Sequence, residues 1–321
     1  MLRTPLLVLT TLSMSLSAAV TIEKTSYAGW SNCYRVTNGE VELIVTTDVG
    51  PRVLRYGFVK GQNLFKEFQE QLGKSGETTW QARGGHRIWI APEAVPETYA
   101  LDNRPVKAAI KGSVLEVTEP VEPETGLEKT MIVRLAANGT NVEVEHRIRN
   151  TAAKARRFAP WALTMMAQGG TGISGFPPRG THPEVLAPTN PLVMWAFTDL
   201  SDKRWTFTKK YMILRQDAKN TGQPQKLGHF NKDTFGAYLL GSDLFVKRYA
   251  ADAAKTYPDF GCSFETFTNQ DFLELETLGP LENVAPGATV THTERWSLHK
   301  SVKIGVWTDA ELDRVVGLLV R

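Results

Sequence analysis

The sequence predicts an all-β protein built as a sandwich or a barrel. Three observations point to this class: apolar and polar residues alternate in many short runs, turn residues separate most of these runs, and helix signals are scarce. The composition is that of an ordinary globular protein, with 42% hydrophobic and 22% charged residues and a net charge of +3. Disordered, collagen-like and coiled-coil classes are therefore excluded. Basic residues form no long block, so we expect no nucleic-acid partner.

The amino terminus has the pattern of a secretory signal peptide. Arg3 precedes a modest apolar run over residues 6–16, and small residues then suit a cleavage site after Ala19. The run is too short to span a bilayer, which takes about 20 apolar residues, so we expect no membrane span. We predict a signal peptide over residues 1–19, a single domain over residues 20–321, and a periplasmic or secreted location. A buried N-terminal strand is the alternative.

The period-two runs define the strands in order along the chain. The run from Val142 to Ile148 is the cleanest, because its apolar side chains would face a core and its charged side chains water. Near the amino terminus, a turn at residues 48–51 joins two such runs into a hairpin. No repeat period and no domain linker is visible. We expect strands at residues 41–45, 53–58, 114–117, 131–135, 142–148, 205–214, 237–240, 244–249, 263–268, 272–277 and 290–298.

Two segments depart from the strand pattern. Thr308 is a good N-cap for a carboxy-terminal helix whose apolar residues, from Leu312 to Leu319, share one face and would pack on the edge of the sandwich. Residues 169–192 are rich in glycine and proline and predict a long irregular loop. Because loops of more than about 15 residues are more often functional than idle, we expect a role for it in function.

The two cysteines, Cys33 and Cys262, leave two alternatives open. In an oxidising compartment they could form one disulfide across most of the mature chain, and otherwise they are two buried free thiols. Neither has a cysteine or histidine neighbour at the spacing of a zinc site. We therefore predict no metal and no cofactor.

The first candidate site segment runs from Gly84 to Glu93. Paired glycines allow the backbone to turn sharply or to approach a ligand closely, and His86 beside them could act as an acid or a base near neutral pH. The alternative is that His86 caps a turn and Trp89 lies in the core. In a later segment, Trp161 follows a proline and could offer a platform for the face of a sugar, or could equally be a core residue.

The second candidate segment lies near the carboxy terminus. Glu274 and Glu276 share one face of a predicted strand, so two carboxylates converge in an otherwise apolar run. Such a pair is costly unless the face is wet or the charges are paired. A solvent-exposed face is one alternative, and a glycosidase acid pair is another, although nothing in the sequence fixes the separation of the two groups.

Several of these segments resemble galactose-mutarotase-like (aldose 1-epimerase-like) proteins, in particular an exported bacterial branch of that superfamily. The carboxy-terminal part carries a strand glutamate in residues 272–279, a Pro-Gly turn at residues 286–287 and a last strand ending in Glu294-Arg295-Trp296. The early hairpin at residues 48–53, the Gly85-His86 pair and the segments at residues 84–93 and 159–163 resemble the same superfamily. The resemblance extends in order over most of the mature chain.

The resemblance implies a β-supersandwich with few short helices that binds a carbohydrate in a concave groove. In the related enzymes a glutamate removes the proton of the anomeric hydroxyl while a histidine protonates the ring oxygen. By resemblance His86 is the acid, and Glu274, Glu276 or Glu265 is the base. The predicted substrate-binding residues are Arg87, Trp89, Glu93, Trp161 and Gln168.

One departure from the superfamily pattern keeps a second function open. Mutarotases usually carry a second histidine where this chain has Pro160 and Trp161. Loss of a histidine that orients the sugar would remove transition-state electrostatics, so a non-catalytic carbohydrate-binding protein is the alternative, and a structural envelope protein a third. We expect His86 and the strand at residues 272–277 to line the same concave sheet, with Trp89 on the face of His86 and Arg87 on the other. We expect a monomer or a weak dimer.

Overall fold

The computed structural model describes residues 19–317 and residue 319. The predicted signal peptide lies outside the described residues except for Ala19. The described chain is almost entirely β-structure, with one α-helix, α1 (Asp309–Val315), and two single-turn 3-10 helices (Gln69–Gln71 and Glu97–Tyr99). The strands are β1 (Thr21–Tyr27), β2 (Trp30–Thr37), β3 (Val41–Thr46), β4 (Arg52–Phe58), β5 (His86–Ala91), β6 (Lys107–Lys111), β7 (Val114–Thr118), β8 (Leu127–Leu135), β9 (Val142–Asn150), β10 (Arg156–Met166), β11 (Thr171–Gly175), β12 (Leu192–Met194), β13 (Trp205–Phe207), β14 (Tyr211–Arg215), β15 (Gln225–His229), β16 (Asp233–Leu240), β17 (Asp243–Ala250), β18 (Phe264–Thr268), β19 (Leu273–Leu278), β20 (Glu282–Val284) and β21 (Thr289–His299).

Two large antiparallel sheets face each other. The 11-stranded sheet has the order β1-β2-β3-β4-β5-β10-β19-β18-β15-β12, with β20 beside β10. The 10-stranded sheet has the order β13-β14-β11-β16-β17-β21-β9-β8-β7-β6. The all-β class and the supersandwich architecture predicted from the sequence are confirmed.

The main hydrophobic core fills the space between the sheets. Its centre is a cluster of aromatic rings from both sheets, in which Tyr56, Phe65 and Phe245 surround Trp296 with ring centroids 5.7 to 5.9 Å from that of Trp296. All four side chains are nearly inaccessible to solvent. Aromatic side chains bury large apolar areas, so this cluster contributes strongly to holding the two sheets together.

Most predicted strands are present, two predicted segments differ from the structure, and several strands, such as β1, β2 and β10, are not among those predicted. The run at residues 205–214 divides into β13 and β14, which form a hairpin. The predicted loop at residues 169–192 is wrong in its first part, because residues 171–175 form β11 inside the 10-stranded sheet. Gly170 and Gly175 are explained by packing, since a Cβ atom at either position would overlap an aromatic ring of β16.

Helix α1 begins as predicted, since the Thr308 hydroxyl accepts a hydrogen bond from the backbone N–H of Glu311. Its apolar face buries Leu312 completely, and Val316 just beyond the helix is buried as well. These residues pack with β11, β14, β16 and β17. The helix therefore covers the side of the 10-stranded sheet that faces away from the 11-stranded sheet, rather than the edge of the sandwich. Among the described residues, no helix is long and apolar enough to cross a membrane.

Both cysteines are buried free thiols in this structure. Cys33 lies in β2, and Cys262 precedes β18. Burial raises the pKa of the Cys33 thiol to about 11, and that of Cys262 above its ordinary range. Thiols held in the protonated form are poor nucleophiles, so neither is a candidate reactive group.

Candidate functional site

The strands at the centre of the 11-stranded sheet carry polar side chains on both faces. Residues directly opposite each other in a sheet point to the same side. One such row crosses β5, β10, β19 and β18 through Arg87, Leu163, Glu276 and Glu265. The neighbouring row through His86 projects to the other side, towards the second sheet. We call the side of the 11-stranded sheet that faces away from the second sheet the outer face.

The outer face holds a buried cluster of ion pairs around Lys226, which lies on β15. Its ammonium nitrogen is 2.8 Å from a carboxylate oxygen of Glu265 and 3.0 Å from one of Glu276. The indole N–H of Trp161 donates to the same oxygen of Glu276 at 2.8 Å. The ammonium group also lies 4.7 Å from the ring centroids of Trp161 and Trp195. Two aromatic faces and two carboxylates thus enclose one lysine.

A second, looser ion pair joins Arg87 to Glu274. The closest nitrogen and oxygen are 3.5 Å apart, and both side chains are buried. The guanidinium group of Arg87 stacks over the rings of Trp89 and Trp80, with its central carbon 4.2 Å and 5.5 Å from their centroids. Arg87 is therefore positioned by aromatic contacts as much as by the carboxylate.

Two carboxyl groups in this site, those of Glu274 and Glu265, have raised pKa values and so hold their protons more tightly than usual. Burial raises the pKa of Glu274 to about 7, opposed by the positive charge of Arg87 and reinforced by the negative charge of Glu276. Burial also raises the pKa of Glu265, although Lys226 opposes it. Burial lowers the pKa of Lys226, but Glu265 and Glu276 outweigh that effect and raise it above its ordinary value. A pKa of about 7 allows Glu274 to change its charge near neutral pH.

An aromatic wall leads from this cluster to solvent. The rings of Trp80, Trp89 and Tyr99 contact one another with centroids 5.1 to 5.4 Å apart. The Tyr99 hydroxyl donates to the carboxylate of Glu93, which is exposed. The aromatic wall is thus buried at Trp89, and at its other end Tyr99 contacts the solvent-exposed Glu93.

Several buried polar atoms of the site have no hydrogen-bond partner within the described part of the chain. They include Nε and Nη1 of Arg87, Nε1 of Trp80, Oε1 of Glu265 and Oε1 of Glu276. Orphaned buried donors and acceptors cost free energy, so each of them calls for an explanation. A ligand rich in hydroxyl groups could satisfy both the donors and the acceptors.

His86 lies on the opposite face from this cluster, inside the sandwich. Its Nε2 is 2.8 Å from Nε2 of His146 on β9, and its Nδ1 is 2.8 Å from the Thr164 hydroxyl. His146 Nδ1 faces the carbonyl oxygen of His292 at 3.0 Å and must donate to it. Burial lowers the pKa of His86 and of His146, so both rings are neutral. His86 Nε2 therefore donates to His146, and the Thr164 hydroxyl donates to His86.

The same network continues through a buried ion pair. Lys247 lies 2.8 Å from a carboxylate oxygen of Glu294 and donates to the Thr164 hydroxyl at 2.9 Å. Glu294 also accepts from the Thr277 hydroxyl and from the indole N–H of Trp296. Across the described residues, no group of three or more His, Cys, Asp or Glu side chains is arranged to hold a metal ion. The network instead ties the two sheets together.

The structure brings most of the predicted site residues together, with two exceptions. Glu274, Glu276, Glu265, Arg87, Trp89 and Trp161 share the outer face, and Glu93 lies at its rim. The expectation that His86 lines the same groove with Trp89 on its face is wrong, because strand alternation sends positions 86 and 89 to opposite sides. Gln168 lies beyond the end of β10, where its amide donates to the carbonyl of Gln270.

Sequence reasoning missed Lys226, Tyr99 and Trp195. The only signal for Lys226 is a single charged residue in the short strand Gln225–His229, which is weak on its own. Trp80, Tyr99 and Trp195 lie outside the named strands and reach the site through tertiary folding.

Comparisons with known proteins identify the fold. No family model and no curated protein matches the sequence. Solved structures do match, among them a galactose mutarotase-like protein from Lactobacillus casei (TM-score 0.56, 10% identity, covering 84% of this chain and 100% of the other). Similar matches are a galactose mutarotase-like protein from Clostridium acetobutylicum (0.53, 10%, 88% and 99%) and a galactose mutarotase related enzyme from Lactobacillus acidophilus (0.52, 9%, 84% and 98%). The chain therefore has the galactose-mutarotase-like fold that the sequence resemblance predicted.

Proposed function

We propose that the outer face of the 11-stranded sheet binds a carbohydrate and that Glu274 transfers a proton to and from it, in an isomerase of the epimerase type. The single observation that carries this proposal is a buried carboxyl group with a pKa of about 7, held beside an arginine and an aromatic wall. A general base is most effective when its pKa is near the working pH. The names of the fold neighbours, which concern mutarotases, support a sugar as the ligand.

The chemistry of the site suits a sugar at each contact. Arg87 and Glu276 offer unpaired donor and acceptor atoms to hydroxyl groups. Trp80 and Trp89 offer aromatic surface to the apolar face of a pyranose ring. Glu274 would take the proton of the anomeric hydroxyl as the bond between the anomeric carbon and the ring oxygen breaks and the carbonyl forms. The ring oxygen would receive a proton from solvent, and ring closure on the other face of the carbonyl would return both protons.

The second candidate function is carbohydrate binding without catalysis. The observation that favours it is the position of His86, whose ring is fully buried between the sheets and hydrogen-bonded at both nitrogens. An acid must lie within about 3 Å of the atom it protonates or reach it through one water. His86 therefore does not protonate a sugar on the outer face.

Two measurements on the same variants separate these functions. Titration calorimetry measures the binding of a panel of aldoses, and NMR exchange spectroscopy measures anomer interconversion. We expect Arg87→Met to abolish binding and Glu274→Gln to retain binding but stop interconversion. Glu143→Gln, on the outer face of the other sheet, is the matched control and should change neither. Binding without interconversion in the unmodified protein would establish the binding function, and binding that survives Arg87→Met would refute this location.

We also propose that the protein is exported. The proposal is supported by the signal-peptide pattern of residues 1–19 alone. Cell fractionation and amino-terminal sequencing of the mature protein test it. A mature chain that starts near Val20 is expected, and a cytosolic protein with an intact amino terminus would contradict it.

A further inference from the structure

The turn that precedes β18 exposes an aromatic side chain in an unfavourable backbone conformation. Asp259, Phe260 and Gly261 have consecutive positive φ angles of 51°, 57° and 99°. Backbone hydrogen bonds of 2.9 Å from the N–H groups of Gly261 and Cys262 to the carbonyl of Pro258 close the turn. A left-handed conformation costs roughly 1–2 kcal/mol for a residue with a side chain. Two such residues, Asp259 and Phe260, adopt this conformation in the turn, and the Phe260 side chain is 92% exposed.

The turn points towards two different surroundings. Asp259 is close enough to Glu265 and Lys226 in the outer-face site for both to influence its pKa, which burial raises. Phe260 is the next residue along the chain and borders a surface cavity of about 480 Å³. The turn therefore connects the surroundings of Glu265 and Lys226 to this cavity.

The cavity has the composition of a sugar-binding surface. Its walls combine aromatic and proline side chains with two exposed polar side chains, namely Pro191, Phe230, Tyr257 and Phe260 with Lys255 and Thr256. A pyranose ring has an apolar face that stacks on an aromatic ring and a rim of hydroxyl groups that hydrogen-bonds to ammonium and hydroxyl groups. The volume is within the range of small-molecule sites, roughly 300–1,000 Å³.

We propose that this cavity is a second carbohydrate subsite, which binds a further unit of an oligosaccharide whose first unit occupies the outer-face site. The proposal rests on the proposed function and specifies its ligand: a short sugar chain rather than a single monosaccharide. Phe260 stacks on the second unit, and Lys255 and Thr256 hydrogen-bond to its hydroxyl groups. The left-handed turn presents Phe260 to the ligand while it keeps Asp259 beside Glu265 in the outer-face site.

Affinities for monosaccharides and oligosaccharides test the subsite. The probes are D-glucose, D-galactose and their α- and β-linked short oligomers, titrated into the full mature chain by calorimetry. We expect the unmodified protein to bind at least one oligomer about tenfold more tightly than its monomer, a gain of about 1.4 kcal/mol. Phe260→Ala and Phe260→Asn should remove this gain and leave the monomer affinity unchanged, whereas Phe260→Trp should keep it. Asparagine tolerates a positive φ and so preserves the turn.

The control and the contrary outcomes are distinct from those of the proposed function. Val306→Ala removes another exposed apolar side chain, which is 58% exposed, and should change no affinity. Monomer binding that depends on Arg87, together with an oligomer gain that survives Phe260→Ala or is absent from the start, would overturn the subsite alone. If no probe binds, the proposed function and the subsite fall together. A dimer that dissociates in Phe260→Ala, seen by sedimentation, would assign the surface to self-association instead.

Discussion

The Glu274→Gln variant should be more stable than the unmodified protein, by an amount that increases as the pH rises. Burial keeps the pKa of Glu274 at about 7 in the folded protein, against an ordinary value of 4.5. The folded state therefore binds the proton more tightly than the unfolded state does, and this stabilisation is fully present below about pH 4.5 and is lost as the pH rises through 7. A shift of about 2.5 units corresponds to about 3 kcal/mol. Glutamine resembles the protonated carboxyl group and does not ionise, so the variant avoids this loss.

Urea unfolding of both proteins between pH 4.5 and pH 8 measures the effect. The two free energies of unfolding should be similar at pH 4.5, and the variant should be more stable by about 3 kcal/mol at pH 8. Phe267→Leu is the control, because Phe267 lies opposite Glu274 in the sheet and does not titrate. Its stability difference from the unmodified protein should not vary with pH. The difference between the free energies of unfolding of Glu274→Gln and the unmodified protein could instead be independent of pH, or could favour the unmodified protein at high pH. Either result would show that Arg87 offsets or outweighs the effect of burial on the pKa of Glu274. It would refute the assignment of Glu274 as the neutral-pH base.

Three further predictions concern stability and are measured by the same unfolding experiment. Burial lowers the pKa of His229 from 6.5 to about 4. The free energy of unfolding of the unmodified protein should therefore fall by about 2 kcal/mol relative to that of His229→Asn between pH 8 and pH 5, and a difference independent of pH would contradict this. Gly84→Ala should cost at least about 2 kcal/mol, because φ is +78° and a Cβ atom would overlap a backbone carbonyl oxygen. Gly39→Ala, with a φ of +88° and open space, should cost only about 1 kcal/mol, and equal costs would disprove the steric reasoning. Lys247→Met should cost about 3–5 kcal/mol by leaving Glu294 buried and unpaired, and Glu294→Gln added to it should recover part of that loss.

The strands that the sequence predicts well have one buried and one solvated face. The alternation of β9 is visible because its glutamate and arginine side chains point to water while its valines are buried. The α1 helix is predictable for the same reason, through its N-cap and single apolar stripe. By contrast, β10 is buried on both faces over most of its length and contains Pro160, so it shows neither alternation nor the usual strand composition. Its central position in the sheet follows from tertiary packing.

The acidic residues of the site and Arg87 could be predicted, but Lys226 and the pairing of acidic with basic residues could not. Glu274 and Glu276 are conspicuous because two carboxylates at a spacing of two residues must lie on one face of a strand. Lys226 pairs with Glu276 across β15, β18 and β19, a contact between residues 50 positions apart that no local pattern encodes. The segment Gly84–Glu93 predicts Arg87 as a substrate-binding residue. Its pairing with Glu274, by contrast, depends on the order of strands in the sheet.

The misplacement of His86 follows from a general property of the strands that carry the site. Alternation along a strand tells which residues share a face. It tells which face points to the core only if the residues on one face are apolar. In β5 both sets contain a charged or titratable group, His86 on one side and Arg87 on the other, and both are buried. In β19 the charged Glu276 points to one side and the polar, uncharged Thr277 to the other, and both are buried. Two buried polar faces on one strand are tolerable only if each is largely satisfied by partners, and here the other sheet supplies those partners on the inside while Lys226 and the tryptophans supply them outside. Which face carries a ligand is therefore decided by what packs on each side, and in this chain the sheet that covers His86 removes it from the ligand face.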